Sequence, residues 1–291
     1  MPKIGVITRT KNRPLLLKRA VESVVRQTFE DWSLVIVNDG GDPAPVSDIV
    51  ASVDAAERAR IRQIDNGSSL GMEAASNVGL NALDTRYAMI HDDDDSLHPE
   101  FFRKTVAYLD NPPHSSVRAV VTHTERIIER IEGGTVTQVR TYPYNDWLKT
   151  ISLRRMLAEN VFAPIAFVFD RQACHEVGAF REDLPVLGDW DFNVRFLARY
   201  EIGVLPEKLA YYHNREDDGT GDYSSSVNAK AHLHEFYDNL LRNEWLRKDI
   251  EAGRTGIGAI ANTAPMLWDM TWEVKEEIKK GRFRLFPKKK K

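Results

Sequence analysis

One stretch constrains the fold and chemistry of this chain more than any other, namely residues 87–95. An apolar run, which predicts a short buried strand, ends there in four consecutive aspartates: Asp92, Asp93, Asp94 and Asp95. Adjacent carboxylates repel one another and are costly to bury unpaired, so we expect a cation beside them. Aspartate oxygens suit Mg2+ or Mn2+, and a metal held by one or two carboxylates keeps positions free for phosphates.

A solvated acidic loop is the alternative interpretation, because runs of charge usually lie in solvent. The position of the run at the carboxyl end of a strand favours a site, because open α/β sheets bind ligands there.

Composition excludes several classes of protein. The 291 residues are 42% hydrophobic, as in a globular enzyme, and a net charge of -3 gives no global attraction to nucleic acid. The single cysteine, Cys174, excludes an intramolecular disulfide and a cysteine metal cluster. The first residues predict a strand and not a signal peptide, and no run approaches the ~20 apolar residues of a membrane span. We expect a cytoplasmic protein that could reach the inner face of the membrane through its basic end, residues 279–291.

The first 98 residues alternate strands with helices. Apolar runs predict strands at residues 4–8, 33–37, 61–64 and 87–90. Helical spacing follows each of the first three, over residues 14–25, 46–58 and 73–83. Near-continuous apolar strands are typical of a parallel sheet covered on both faces, so the order predicts an α/β fold.

The later segments are more varied. Strands are predicted at residues 119–122, 165–169, 202–205 and 209–212, with a hairpin of strands 127–131 and 136–142 around Gly133 and Gly134. Helices are predicted at residues 147–159, 171–177, after Asp191 and, at the end, 266–278. Residues 216–226 have the composition of a mobile loop. We predict a domain over residues 1–227, with halves 1–98 and 99–227, and a helical extension over 228–291.

Three separated pairs of stretches carry a family resemblance: residues 8–14 with 35–40, 77–80 with 90–99, and 177–184 with 188–197. In this order the chain resembles the family 2 glycosyltransferases across residues 3–213. The resemblance implies a GT-A fold, with a Rossmann-like mixed, mostly parallel sheet flanked by helices, and here a C-terminal helical appendage. It also implies a nucleotide-sugar substrate and inverting transfer.

The resemblance assigns roles to residues of the nucleotide side. Thr8 and Arg9 would contact the base or ribose, Asp39 the base, and Asp92 the ribose, with Asp93 beside it. A turn residue before two glycines is the alternative for Asp39. Asp94 would hold a manganese or magnesium ion that bridges the diphosphate. His213 would be a further metal ligand, against the commoner fate of a histidine bonded within the protein.

Asp189 matches the general base of the family. Inverting transfer is one displacement at the anomeric carbon, in which a carboxylate takes the proton of the attacking hydroxyl. A helix N-cap is the alternative for Asp189. Asp191 is the competing carboxylate, and both Trp190 and Asp191 are predicted to lie on the acceptor side. Residues 216–226 resemble a segment that closes over the donor.

The predicted reaction moves a sugar from a nucleoside diphosphate sugar to a glycan or lipid-linked acceptor, as in bacterial surface polysaccharide synthesis. UDP-sugars are the first expectation, and dTDP- or GDP-sugars the next. A haloacid-dehalogenase-like phosphatase is an alternative, because Asp92 and Asp94 also fit its Asp-x-Asp motif. A nucleotidyltransferase would need a glycine-rich loop that residues 8–13 lack. A non-catalytic sugar-nucleotide-binding protein is a further alternative.

Three residues depart from the family pattern. Gly41 stands where the family commonly has serine, His91 where it has an apolar residue, and Gly188 where a glutamate commonly precedes the base.

Overall fold

The computed structural model describes residues 1–216 and 231–280. In these ranges nine strands are present: β1 (Ile4–Thr10), β2 (Trp32–Asp39), β3 (Ile61–Asn66), β4 (Tyr87–Asp92), β5 (Ser96–Leu97), β6 (Val117–Glu132), β7 (Thr135–Pro143), β8 (Phe167–Asp170) and β9 (Glu201–Arg215). The helices are α1 (Pro14–Val25), α2 (Pro43–Ala51), α3 (Ala55–Arg58), α4 (Met72–Ala82), α5 (Phe101–Asp110), α6 (Leu153–Ala158), α7 (Arg171–Val177), α8 (Gly188–Leu197), α9 (Ala231–Glu251) and α10 (Ile257–Lys279).

The strands form one mixed sheet in the order β3-β2-β1-β4-β8-β6-β9-β5, and β7 pairs with β6. The pairings among β3, β2, β1 and β4 are parallel, so the carboxyl ends of these strands share one edge. The register places Arg9 opposite Asp92, and Asp39 opposite Asn66. The predicted α/β fold with helices on the sheet is confirmed, and its polar edge lies where the strand order required.

Several predicted boundaries in the later half were wrong because long strand pairing overrides local composition. Strands predicted at 119–122 and 127–131 are parts of β6, and those at 202–205 and 209–212 are parts of β9. These two strands pair in parallel along their lengths, and register shifts around His123 carry the irregular stretch between the apolar runs. The hairpin around Gly133 and Gly134 is confirmed, and both glycines have positive φ.

Predicted helices also changed their limits. The helix expected over residues 147–159 is only α6, which begins where Ser152 accepts a hydrogen bond from the Arg155 N–H at 3.3 Å. Residues 46–58 form two helices, and Pro43 opens the first of them. A 3-10 turn, Pro164–Ala166, precedes β8. The last helix begins at Ile257, nine residues before the predicted start at 266.

An aromatic cluster fixes α8 against the sheet. Phe167 of β8 lies against Phe192 and Phe196 of α8, with ring centroids 6.4 and 5.8 Å apart. All three rings are buried, and each contributes about 1.5–3 kcal/mol through burial. The first turn of α8, which carries Asp189, therefore rests on a rigid base.

The C-terminal helices pack on the rest of the protein. Trp245 of α9 contacts Trp190 at 5.4 Å between centroids, and Arg242 donates hydrogen bonds to the carbonyls of Leu157 and Ala261. None of the helices in residues 1–216 and 231–280 is long and apolar enough to cross a membrane. Apart from Glu216, the predicted loop at 216–226 lies outside the described residues, as do the domain boundary at 228 and the basic tail after residue 280.

Candidate active site

A cavity of about 380 Å³ opens at the polar edge of the sheet. Its charged lining comes from distant parts of the chain: Arg9, Arg13, Glu73, Asp92, Asp94 and Asp189. Tyr144, Phe162 and Tyr212 add aromatic walls, and His234 of α9 also lines it. A second cavity, of about 610 Å³, lies at the opposite end of β4 beside Tyr87 and contains none of the predicted site residues.

Guanidinium groups lie beside the two aspartates that line this cavity. Arg9 donates to Asp92 Oδ1 from Nε at 3.1 Å and also from Nη2. Arg215 contacts Asp94 Oδ2, and Arg13 Nη1 lies 3.5 Å from the same oxygen. Burial opposes the charge on Asp94, but the two arginines hold its pKa below the ordinary value. The cation required by the acidic run is therefore arginine in this structure.

The other two aspartates are buried and point away from the cavity. Asp93 accepts hydrogen bonds from Thr10 at 2.7 Å and from Arg13 Nε at 3.1 Å. Asp95 accepts from the backbone N–H of His213 at 2.9 Å. Burial raises the pKa of Asp93 to about 7 and that of Asp95 well above its ordinary value. Asp93 therefore joins β1 to α1 inside the protein, contrary to the prediction that it contacts the nucleotide.

Thr8 lies inside the sheet, contrary to the prediction that it contacts the base or ribose. The Thr8 side chain is fully buried, and its hydroxyl lies 3.1 Å from His91 Nδ1 on the neighbouring strand. Burial lowers the pKa of His91 to about 4, so this imidazole is neutral at physiological pH. Thr8 does not face the cavity. His91, which ends the apolar part of the acidic strand, is bonded to Thr8 in the interior of the sheet.

Asp39 organises the loop between β3 and α4. Its carboxylate accepts hydrogen bonds from Asn66 at 2.9 Å, Ser69 at 2.8 Å, and the N–H groups of Leu70 at 2.8 Å and Gly71 at 3.0 Å. Burial opposes the charge, but these donors hold the pKa of Asp39 below its ordinary value. A contact between Asp39 and the nucleotide base, as predicted, would have to share carboxylate oxygens that each already accept two hydrogen bonds.

The two carboxylates of α8 differ in direction. Asp189 lines the cavity and accepts a hydrogen bond from Asn160 Nδ2 at 2.8 Å, and burial raises its pKa. Asp191 is buried, bonds to Arg195 at 2.8 Å and is absent from the cavity wall. Two residues along a helix differ by about 200°, so the two side chains leave on nearly opposite sides. Of the pair, Asp189 has the position of a base.

Trp190 belongs to the core. Its ring is 1% exposed, and its Nε1 donates to the Met156 carbonyl at 2.6 Å. An acceptor could not reach this ring, so the predicted acceptor contacts at Trp190 and Asp191 are wrong. Helix α9 covers Trp190 through Trp245, a contact between distant segments that no local pattern in the chain predicts.

His213 reaches the cavity wall with both ring nitrogens bonded. Its Nδ1 lies 2.6 Å from Glu129 Oε1, and its Nε2 lies 2.8 Å from Ser96 Oγ. Burial lowers the pKa of His213 despite the carboxylate beside it. The prediction that His213 binds a metal therefore requires that it exchange one of these bonds.

The donor set fits a metal that is shared with a substrate. The Asp92 and Asp94 side chains are 28% and 15% exposed, toward the cavity. In the described part of the chain, no group of three or more His, Cys, Asp or Glu side chains could hold a metal by itself. A Mg2+ or Mn2+ ion bound with a diphosphate needs only one or two carboxylates. Arg9 and Arg215 would then release the oxygens they contact.

Comparison with known proteins identifies the family. The model of glycosyl transferase family 2 matches residues 5–178. The chain belongs to glycosyl transferase family 2. An uncharacterized glycosyltransferase of Methanocaldococcus jannaschii is 31% identical over 85% of this chain and 81% of its own length. A protein of Sinorhizobium fredii is 28% identical over 92% of this chain, which spans 28% of that relative. The protein is therefore a glycosyltransferase.

Solved structures confirm the GT-A fold. The Staphylococcus aureus TarS 1-349 complex with UDP-GlcNAc has a TM-score of 0.60 at 19% identity, covering 77% of this chain and 62% of that one. A mannosyltransferase of Pyrobaculum calidifontis, in complex with GDP-Man and Mn2+, has a TM-score of 0.58 at 17% identity, covering 91% of this chain and 80% of that one.

Sequence reasoning missed most of the basic side of the site. Arg13, which precedes α1, and Arg215 of β9 reach the aspartates. Asn160 holds Asp189, and Glu73 lines the cavity from α4. The acidic run did signal that a cation must be near. No spacing in the chain identified which distant arginine would supply it.

We expect Asp39→Asn to lower the free energy of unfolding by about 1–3 kcal/mol, because it leaves donors of the loop without a charged acceptor. The depressed pKa makes this stabilisation present above the unfolded value of ~3.9, and lost as pH falls through the folded pKa. Urea denaturation of both proteins at pH 7 and near pH 3 measures it, with the exposed Asp31→Asn as control. An equal loss at both pH values would contradict the role of the carboxylate charge.

Proposed function

We propose that this protein is an inverting, divalent-metal-dependent transferase of sugars from a nucleoside diphosphate sugar. One observation carries the proposal. Asp92, Asp94 and Asp189 line one cavity, and Arg9 interacts electrostatically with both Asp92 and Asp189. Donor-side carboxylates and a base must meet in one place for single displacement to occur. The 174-residue family match, from residue 5 to 178, ends before Asp189, so the base rests on the geometry of α8.

Asp189 would take the proton of the acceptor hydroxyl as that oxygen attacks the anomeric carbon. The bond from that carbon to the diphosphate oxygen breaks in the same step, and the nucleoside diphosphate leaves with its electron pair. Asn160 orients the carboxylate through its hydrogen bond. The Asp189 side chain is half-buried and lines the cavity, where an acceptor hydroxyl can reach it.

Asp94, with Asp92 beside it, would hold the metal together with the diphosphate of the donor. When bound, a divalent ion neutralises the charge that develops on the leaving diphosphate. Arg9 and Arg13 line the same cavity and can contact phosphate oxygens once they leave the aspartates.

The nucleotide is proposed to be UDP first, and dTDP or GDP next. The two solved structures of the same fold support UDP and GDP, because one is a complex with UDP-GlcNAc and the other a complex with GDP-Man. The acceptor is proposed to be a glycan or lipid-linked saccharide of a bacterial-type surface polysaccharide pathway, and the group transferred a hexose or deoxyhexose.

We infer a catalytic domain over residues 1–227, with 228–291 as an extension that contributes His234 to the cavity wall.

We expect one nucleotide among UDP, dTDP and GDP to raise the melting temperature of the protein, and to do so only when Mn2+ is present. A ligand at 100 times its Kd stabilises the folded state by about 2.7 kcal/mol. No stabilisation by any nucleotide would contradict the proposal. A phosphatase or a non-catalytic protein would be separated by assay, because the first releases phosphate from p-nitrophenyl phosphate and the second turns over nothing.

Asp189→Asn should lower kcat about 10²- to 10⁴-fold with nucleotide affinity unchanged, because the amide cannot accept the proton. The base works deprotonated, and its raised pKa places the acid limb of kcat/KM above the ordinary value of ~3.9. Steady-state kinetics against pH measure both. Asp191→Asn is the matched comparison, expected to retain turnover per folded molecule. The reverse pattern would show that Asp189 is not the base.

We also propose peripheral contact between the C-terminal end and an anionic membrane, where a lipid-linked acceptor would lie. Helix α10 exposes more than half of the side chains of Leu267, Met270 and Trp272, and the sequence continues in six basic residues and no acid after Lys280. Each basic residue near such a surface adds about 1 kcal/mol. Co-sedimentation with anionic vesicles should fall when residues 281–291 are removed. Equal binding to neutral vesicles would contradict the charge argument.

A further inference from the structure

The carboxyl group of Glu73 has no role in the arrangement described so far. Glu73 lies in the first turn of α4, is 6% exposed and lines the same cavity as Asp92 and Asp189. Its nearest cation is Arg9, whose Nη1 lies 4.0 Å from Oε1, beyond hydrogen-bond distance. Its Oε2 has no hydrogen-bond partner among residues 1–216 and 231–280. A buried carboxyl oxygen left in this state is costly unless a ligand pairs with it.

The backbone of α8 is shaped around this side chain. A Cβ atom at Gly188 would lie 2.5 Å from Glu73 Cγ and 2.6 Å from Oε1, closer than packed atoms approach. Only glycine at position 188 therefore lets the Glu73 carboxyl rest against the residue that precedes the base. The contact holds the carboxyl beside Asp189, although the two residues are far apart in sequence.

The charges around Glu73 place it between the two halves of the site. Burial raises its pKa to about 7, Arg9 opposes that rise, and Asp189 and Asp92 add to it. Near neutral pH the group is thus able both to donate and to accept a hydrogen bond. A sugar hydroxyl has the same dual capacity, and a phosphate does not.

We propose that Glu73 binds a hydroxyl group of the sugar that is transferred, and so helps to select the donor. This inference rests on the proposed function, in which Asp92 and Arg9 lie at the nucleotide and Asp189 lies at the anomeric carbon. The sugar ring begins at the anomeric carbon, so its hydroxyl groups lie within reach of side chains beside Asp189. Glu73 lies there, with an unpaired oxygen in a wall of the cavity.

Calorimetric titration with Mn2+ present tests the contact on the whole chain. The probes are matched pairs: UDP with UDP-GlcNAc, dTDP with dTDP-glucose, and GDP with GDP-mannose. For the pair that binds the wild-type protein, the ratio of the two Kd values measures what the sugar adds. In Glu73→Ala we expect this ratio to shift by about tenfold or more against the sugar, with the Kd of the nucleotide alone within about twofold.

Glu73→Gln separates hydrogen bonding from structure. An amide of the same shape both donates and accepts, so this variant should keep the sugar contribution within about threefold. The exposed Glu251→Ala is the matched control, and the melting temperature without ligand reports whether each variant folds. A purely structural role would weaken nucleotide and nucleotide sugar alike.

Gly188→Ala provides an independent test through the contact itself. The added methyl group displaces the Glu73 carboxyl, so this variant should lose the same sugar contribution. Combined with Glu73→Ala it should lose little more, because both changes remove one interaction. A full additional loss in the double variant would overturn the inference.

The results of these titrations separate the role of Glu73 from the proposed function on which it rests. A wild-type protein that binds none of the nucleotides would overturn the proposed function, and this inference with it. A wild-type protein that binds a pair, with an unchanged ratio in Glu73→Ala, would overturn the role of Glu73 alone.

Discussion

The site depends on pairing between a run of four aspartates and arginines from distant parts of the chain. Carboxylates at the end of β4 lie close to the interior, where an unpaired charge is costly. Arg9 pairs with Asp92, Arg13 with Asp93 and Arg215 with Asp94. These contacts join β1, α1 and β9 to one strand end, so the electrostatic demand of the aspartates also fixes the cavity wall.

This pairing divides the acidic run by exposure. Asp92 and Asp94 remain at the cavity, where, in the proposed function, their oxygens would pass from arginine to a metal-bound diphosphate. Asp93 and Asp95 are buried, and their raised pKa values show the cost of charge there. β4 ends at Asp92, and a turn closed by the hydrogen bond from the Asp95 N–H to the Asp92 carbonyl at 3.1 Å carries the run from the cavity into the interior.

Part of this arrangement could be predicted from sequence. Near-continuous apolar runs predicted β1, β2 and β4, and their parallel pairing placed Arg9, Asp39 and Asp92 at one edge. The predicted strand boundaries were wrong in β6 and β9. These two strands pair with each other, and the pairing compensates for the polar residues within each strand. The predicted start of α6 was also wrong, because apolar residues such as Leu148 are buried in the loop before the helix and not on the helix itself.

The sequence by itself determined the family, the α/β order and the requirement for a cation at residues 92–95, because hydrophobic periodicity and charge density are local properties. Tertiary structure decided which side chains meet in space. It placed Trp190 and Asp191 in the core and Asp189 at the cavity, since α9 covers one side of α8. It also brought Glu73 against Gly188, a contact that depends on the packing of α4 beside α8 and that no spacing in the chain records.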